Sequence, residues 1–338
     1  EPRPVSKIGV LGAGVMGGGI AQLAASRGLV TWMKDIEHEA VTRGLQHARS
    51  LIKRKVARHR MTTTEARQAM DRISGGVAYH GLSGSDIVIE AIVEKKELKK
   101  AAISELEAYL SDDCVIATNT SSLSVKEIAT ALQYPQRFCG MHFFNPVHRM
   151  PLVEVIRAPE TSDAAIATTY QLALNLGKVP VVVSDGPGFL VNRILGPYMN
   201  EAGFLLSDGA SIKMIDSSAK RFGMPMGPLR LLDEVGIDVS THAGSSLYHA
   251  LGERLKPAPA LVDLGNTGRL GKKGGRGFYL YEEGRERQVD DTIYVELASV
   301  PAPDSTRPGS ISGEEGQGQI LRRLVLAMIN EAARTLEE

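Results

Sequence analysis

Residues 7–28, KIGVLGAGVMGGGIAQLAASRG, decide the fold. An apolar run stops at a cluster of glycines, and a helical pattern begins directly after it. Gly12-x-Gly14-x-x-Gly17 sits at that junction. Gly12 permits the tight turn, Gly14 lets the backbone approach a pyrophosphate, and Gly17 lets the helix pack close to the strand. A helix starting there offers free N–H groups and a positive dipole end to phosphates. The next strand candidate, VTWMKD, ends at Asp35, 18 residues after Gly17. A carboxylate at that place binds ribose hydroxyls and repels a 2′-phosphate, and no Arg follows in IEHE. The pattern therefore selects NAD over NADP.

Outward from this stretch, short apolar runs alternate with helical patterns through the first 184 residues. The strand candidates are KIGVLG, VTWMKD, GVAYH, DIVIEAI, CVIATN, RFCGMHF, LVEVI and VPVVVSD. Helical spacing falls at 16–27, 37–58, 63–72, 96–110 and 163–176. Such alternation predicts an α/β, Rossmann-type, doubly wound and mostly parallel sheet over residues 1–185. SDGPG at 184–188 breaks the pattern. An all-α C-terminal domain is expected over 186–285, with helices at 189–207, 211–221, 228–236 and 240–254 and a short strand-like GFYLY at 277–281. Residues 286–315 are polar and rich in Pro, Gly and Ser and read as a linker. A last helix is expected within 316–338.

VNRILGPYMNEAGFLL (191–206) resembles LRRLVLAMINEAARTL (321–336), so the last helix reads as the start of a second helical copy that stops after its first element. Its apolar stripe, Leu321, Leu324, Val325, Met328 and Ile329, needs a partner. Self-association through the helical half is the expectation.

Composition bounds the function. The 338 residues are 43% hydrophobic and 23% charged, with 39 basic and 39 acidic residues. A net charge of zero excludes a global field for nucleic acid or an anionic membrane. The sequence shows neither a membrane-length apolar run nor a signal-peptide pattern. Its two cysteines, Cys114 and Cys139, form no disulfide framework or zinc spacing, and no metal site is expected. A reducing, intracellular setting follows.

HFFNPVHRMPLVEVI (142–156) holds an awkward residue. LVEVI reads as a strand buried on both faces with Glu154 in its middle, and an unpaired buried carboxylate costs several kcal/mol. His142 ends the preceding strand. Paired with Glu154 its ring would be oriented and its charged form stabilised, as a dehydrogenase base requires. From spacing alone the two also fit a purely structural pair. Lys53, Arg54, Lys55, Arg58 and Arg60 form a basic cluster, either a solvated helix face or a landing place for coenzyme A phosphates.

The residues GAGVMGGGIA, AIVE, NTSSL, HFFNPV, LVEVI, DGPGFLVNR and GMPMGP, in this order, resemble the 3-hydroxyacyl-CoA dehydrogenase family over nearly the whole chain. MGGGIA with MKDI is most similar to the dehydrogenase part of multifunctional fatty-acid β-oxidation enzymes. That resemblance implies NAD-dependent oxidation of (3S)-3-hydroxyacyl-CoA in a bacterial cytoplasm. It also implies a hydratase domain and a thiolase partner, neither of which lies in this sequence. It assigns His142 as catalytic base, Glu154 as its partner, Ser121 as a donor to the reacting oxygen, and Asn192 as the residue positioning substrate. Ser122 is the rival of Ser121. Met16, Asp35, Ile92, Val93, Glu94, Lys99, Ser121 and Asn145 join Gly12, Gly14 and Gly17 as expected cofactor contacts. A dehydrogenase of another small hydroxy acid, or a non-catalytic dinucleotide-binding protein, are the competing readings.

Overall fold

The computed structural model describes residues 1–303, 311 and 313–338, which fall into two compact units, Glu1–Phe189 and Leu190–Glu338. In the first unit eight strands form one sheet: β1 (Lys7–Leu11), β2 (Val30–Lys34), β3 (Ile73–Gly76), β4 (Ile87–Glu90), β5 (Val115–Thr118), β6 (Phe138–Phe143), β7 (Leu152–Arg157) and β8 (Val179–Ser184). Its helices are α1 (Val15–Ala25), α2 (His38–Ala57), α3 (Thr63–Asp71), α4 (Lys96–Glu107), α5 (Val125–Ala129) and α6 (Asp163–Asn175). The order β3-β2-β1-β4-β5-β6-β7-β8 reverses between β1 and β4, the switch point where ligands sit in such sheets. Pairing is parallel from β3 to β6; β7 runs antiparallel to β6, and β8 parallel to β7.

Both faces are covered, which is why the strands read as near-continuous apolar runs. Val10, Ile87, Ile89, Ala117, Met141 and Val155 belong to one core with α1 and α6. Val88, Ile116, Phe138 and Ile156 belong to a second, on the opposite face. Alternation within each strand thus decides which layer a residue enters.

One strand is displaced from expectation. GVAYH (76–80) is not the third strand; pairing with Thr31–Lys34 runs through Ile73–Gly76, and Tyr79–Leu82 is a 3-10 turn. Gly75 hides the strand from propensity. A Cβ there would lie 2.6 Å from the Met33 carbonyl oxygen, so close backbone approach outweighs the β-branched preference of Val77. Tyr79 instead packs under Lys34, whose Nζ lies 4.0 Å from the ring centroid.

The second unit contains α7 (Val191–Ser207), α8 (Ile212–Phe222), α9 (Pro228–Val235), α10 (Ile237–Leu251), α11 (Pro259–Gly265), α12 (Ile293–Glu296) and α13 (Gly313–Glu337). An antiparallel hairpin, β9 (Tyr279–Glu282) and β10 (Arg285–Val289), makes it helical with one small sheet rather than all-α. β10 and α12 also occupy part of the stretch expected as a linker over 286–315; of that stretch, 304–310 and 312 lie outside the described residues. The polarity of 285–296 misled because its charges are paired internally. Asp290 accepts ion pairs from Arg269 and Arg276, both at 2.7 Å, and Arg269 is almost fully buried. No helix among the described residues is long and apolar enough to cross a membrane.

Two further buried acids hold the helices to the hairpin. Asp216 accepts from Leu229 N and from the Tyr279 hydroxyl. Asp233 accepts from Phe278 N, Tyr279 N and the Tyr281 hydroxyl. Gly227 in the GMPMGP motif is required by this arrangement, since a Cβ would fall 2.1 Å from Asp216 Cγ. Burial pushes the Asp233 carboxyl up to about 6 despite its three donors.

Asp290 moves the other way. Burial raises it, but Thr292, Arg276 and Arg269 outweigh burial and hold it at about 2. A depressed carboxylate adds stability above its unfolded value, and that stability is lost as pH falls through the folded one. Asp290 should therefore contribute about 2 kcal/mol at neutral pH and lose it between roughly pH 4 and 2. Denaturant unfolding of Asp290→Asn should show a loss of about 2 kcal/mol at neutral pH, because Arg269 loses its buried carboxylate partner and keeps only the more exposed Glu296. The difference from the parent should shrink toward pH 2, and a gap independent of pH would contradict the account.

Candidate active site

The turn after β1 is built by steric necessity. Gly12 has φ +106°, and a Cβ there would lie 2.6 Å from the Ala91 carbonyl oxygen beyond β4. A Cβ on Gly17 would lie 1.9 Å from the Gly12 oxygen, whereas one on Gly14 would meet nothing within 4 Å. Gly14 is therefore not a glycine that packing requires. It is also the cap of α1, with no side chain capping the helix and no acid in its first turn, so that end stays electropositive.

Asp35 stands just past β2 with both carboxylate oxygens anchored. Oδ2 accepts from Ala13 N and Oδ1 from Ile36 N, each at 2.7 Å. The acid is half-buried beside the glycine turn, and the two together fit a dinucleotide. Met16 is half-buried in the first turn of α1, and Ile92 and Val93 follow β4, with Val93 exposed.

Glu94 organises the loop after β5. Its Oε1 accepts from Thr120 Oγ1 (2.6 Å), Ser121 N (2.8 Å) and Ser121 Oγ (3.2 Å). Burial alone would raise Glu94, but the Lys99 charge and the bonds from Thr120 and Ser121 hold it below its ordinary value. Lys99 is buried, with Nζ 2.7 Å from Glu90 and 3.3 Å from Glu94. Its ammonium faces two carboxylates. Ser121 is exposed and Ser122 half-buried; only Ser121 places its hydroxyl on Glu94.

Sequence reasoning missed Glu90. It is fully buried in DIVIEAI and bonded by Lys99 Nζ, Thr118 Oγ1 and Ile92 N. The signal was available, because it is a second carboxylate inside an apolar strand, the same anomaly that exposed Glu154. Asn119 was also missed: its Oδ1 accepts from Phe143 N at 2.8 Å and ties the end of β5 to the end of β6.

His142 and Glu154 are directly opposite in the antiparallel β6–β7 ladder. Opposed residues project to one face with adjacent Cβ atoms. Met141, Phe143, Val153 and Val155 turn to the first core, so His142 and Glu154 turn to the other face, where the ring lies 5.9 Å from Phe189 and 4.4 Å from Phe144. His142 Nδ1 is 2.6 Å from Glu154 Oε2, with the two side chains 7% and 0% exposed. Asn145, exposed, follows in the connection, joined to Pro146 by a cis peptide. Asn192 belongs to the second unit and stands half-buried in the first turn of α7.

The basic cluster also resolves. Arg54, Lys55, Arg58 and Arg60 line a cavity of about 660 Å³ in the first unit, together with Arg27, Arg72, Arg149, Lys178 and His148; Lys53 does not. Among the described residues, Glu65 is its sole lining carboxylate. Burial, then repulsion from Arg27, lowers Lys55; burial with Arg27 and Lys55 lowers Lys178.

A glycine turn facing a switch point, an acid beyond β2 and a buried histidine–carboxylate pair are the features a nucleotide-dependent dehydrogenase needs. Comparison with known proteins makes the class specific. Residues 7–186 match the 3-hydroxyacyl-CoA dehydrogenase NAD-binding domain, and residues 188–281 match the C-terminal domain of the same family. The chain belongs to the 3-hydroxyacyl-CoA dehydrogenase family. It is 44% identical to the fatty acid oxidation complex subunit alpha of Psychrobacter arcticus, over 100% of this chain and 47% of that protein. It therefore spans about half the length of the curated relatives it matches. Among solved structures, it is similar to (S)-3-hydroxybutyryl-CoA dehydrogenase of Ralstonia eutropha, with TM-score 0.81 and 39% identity over 83% of this chain and 100% of that one. The 3-hydroxybutyryl-CoA dehydrogenase of Escherichia coli K12 gives TM-score 0.86 and 29% identity over 99% and 86%.

Asp35 is held beside the glycine turn by two backbone donors. The dissociation constant for NADPH should exceed that for NADH by at least about tenfold, roughly 1.4 kcal/mol. Fluorescence titration with both nucleotides measures this, and equal constants would refute it.

Proposed function

We propose that the protein oxidises (3S)-3-hydroxyacyl-CoA to 3-oxoacyl-CoA, with His142 as general base oriented by Glu154. The observation that carries the reading is the buried 2.6 Å contact between His142 Nδ1 and Glu154 Oε2 at the end of the sheet. A carboxylate there holds the proton on Nδ1, so Nε2 presents a lone pair. Bound NAD supplies the hydride acceptor. As hydride leaves C3, Nε2 takes the hydroxyl proton, and Glu154 stabilises the imidazolium that results. Ser121 and Asn192 are neutral donors, suited to an oxygen whose charge changes during reaction. Gly12, Gly14, Met16, Gly17 and Asp35 would hold the cofactor, with Ile92, Val93, Glu94, Lys99, Ser121 and Asn145 completing its surroundings.

The basic cavity suits the substrate's other end. Its wall includes His148, Arg149 and Met150, from the connection that leaves His142. Crowded cations such as Arg54 and the half-buried Lys55 favour phosphates, so the cavity takes the phosphates of coenzyme A. The reaction places the protein in fatty-acid β-oxidation in a bacterial cytoplasm. A hydratase domain supplies its substrate and a thiolase consumes its product. Cys114 and Cys139, buried and free with thiols pushed up to about 12 and about 11, fit a reducing compartment.

Loss of NADH absorbance on adding acetoacetyl-CoA tests the activity directly. Glu154→Gln should lower kcat roughly 10²-fold while the NADH dissociation constant stays within about twofold, since the lost interaction is strongest when the ring is charged. Unchanged turnover would remove Glu154 from the mechanism.

Arg54→Gln combined with Lys55→Gln should raise KM for acetoacetyl-CoA about tenfold, as expected for losing charge-assisted phosphate contacts. KM for acetoacetyl-pantetheine, which lacks the nucleotide, should not move. A parallel rise for both substrates would place the phosphates elsewhere.

A further inference from the structure

The internal repeat has a structural counterpart. Each residue of 321–336 is numbered 130 above its counterpart in 191–206. Arg193 Nε lies 2.9 Å from Glu331 Oε1, and Arg323 Nε lies 2.5 Å from Glu201 Oε1. Arg323 is the counterpart of Arg193, and Glu331 of Glu201. A second pair follows the same rule: Arg193 reaches Glu338 at 2.5 Å, and Arg323 reaches its counterpart Asp208 at 2.6 Å. The helices α7 and α13 thus pack antiparallel with local two-fold symmetry, each arginine crossing to the other copy's acids.

Symmetry fails in two respects. Burial differs: the Arg193 and Glu331 side chains are 9% and 2% exposed, against 29% and 22% for Arg323 and Glu201. Arg254 adds a second cation to Glu331, at 3.3 Å. The neighbour differs too, since Asn192 precedes Arg193 while Arg322 precedes Arg323. The more buried of two equivalent clamps therefore falls on the helix turn that carries Asn192.

We infer that Glu331 is a positioning residue for the reaction: by clamping Arg193 from α13 it fixes the first turn of α7, and with it the direction of the Asn192 amide. This rests on the reading of Asn192 as the residue that positions substrate. The Arg323–Glu201 clamp is a built-in control, with the same residue types, the same helix pair and no site residue beside it. A residue that sets geometry loses turnover when loosened, because small displacements of an oriented donor are costly.

The test measures acetoacetyl-CoA reduction by the full chain and its variants Glu331→Gln, Glu201→Gln, Asn192→Ala and the double variant Glu331→Gln/Asn192→Ala. Glu331→Gln should lower kcat at least about tenfold with KM for NADH unchanged. Glu201→Gln should leave kcat within about twofold. In the Asn192→Ala background, Glu331→Gln should remove little further activity, because both act through one amide. Additive losses in the double variant, equal losses for the two glutamates, or full turnover in Glu331→Gln would each overturn the inference. Full turnover in Asn192→Ala would overturn the reading of Asn192 and the inference with it; an impaired Asn192→Ala beside a fully active Glu331→Gln would overturn the inference alone. Should Glu331→Gln fail to fold, Arg193→Lys keeps the charge and loses the fork geometry, and the same kcat loss is expected and the same outcomes decide.

Discussion

The antiparallel pairing of β7 against β6 is the constraint on which the site depends. In a wholly parallel sheet a crossover of a dozen or more residues would separate the two strands, and no short connection could set His142 opposite Glu154. The antiparallel turn places them in register, on one face and within hydrogen-bond reach. A one-residue slip would send Glu154 into the Val153–Val155 core, where its charge has no partner. The apolar neighbours of Glu154 therefore fix the register, and the register fixes the His142–Glu154 pair.

Buried charges recur as the way this molecule joins its elements. Glu90 and Glu94 grip Lys99 behind the cofactor turn, Asp216 and Asp233 tie helices to the hairpin, Asp290 gathers Arg269 and Arg276, and Glu331 gathers Arg193 and Arg254. Each would be strongly destabilising if unpaired, so each fixes one geometry. Glycines stand where these acids approach, as at Gly227 and Gly277, because a Cβ would overlap the carboxylate. The polar core is in this sense as specific as the apolar one.

Legibility tracked how local the physics was. The glycine turn, Asp35 and the strand–helix alternation depend on near neighbours and were readable. Glu154 was readable because it breaks an apolar run, yet Glu90 breaks one in the same way and passed unseen among the lysines that follow it. β3 was misplaced because Gly75 answers to Met33 on another strand, and β10 because the charge of Asp290 beside it answers to Arg269 and Arg276.

The amino-acid sequence by itself determined the class of fold, the glycine turn, the acid just beyond β2 and the presence of a buried acid in need of a partner. Those follow from backbone freedom, side-chain period and the expense of desolvating charge, all of which act over a few residues. Only the tertiary structure decided that Lys99 faces two carboxylates, that Arg54, Lys55, Arg58 and Arg60 share a cavity with Arg27, Arg149 and Lys178, and that Arg193 and Arg323 exchange acids across a two-fold axis. Each joins side chains whose separation in the chain is bridged by packing alone, and a charge does not reveal in advance which distant partner will reach it.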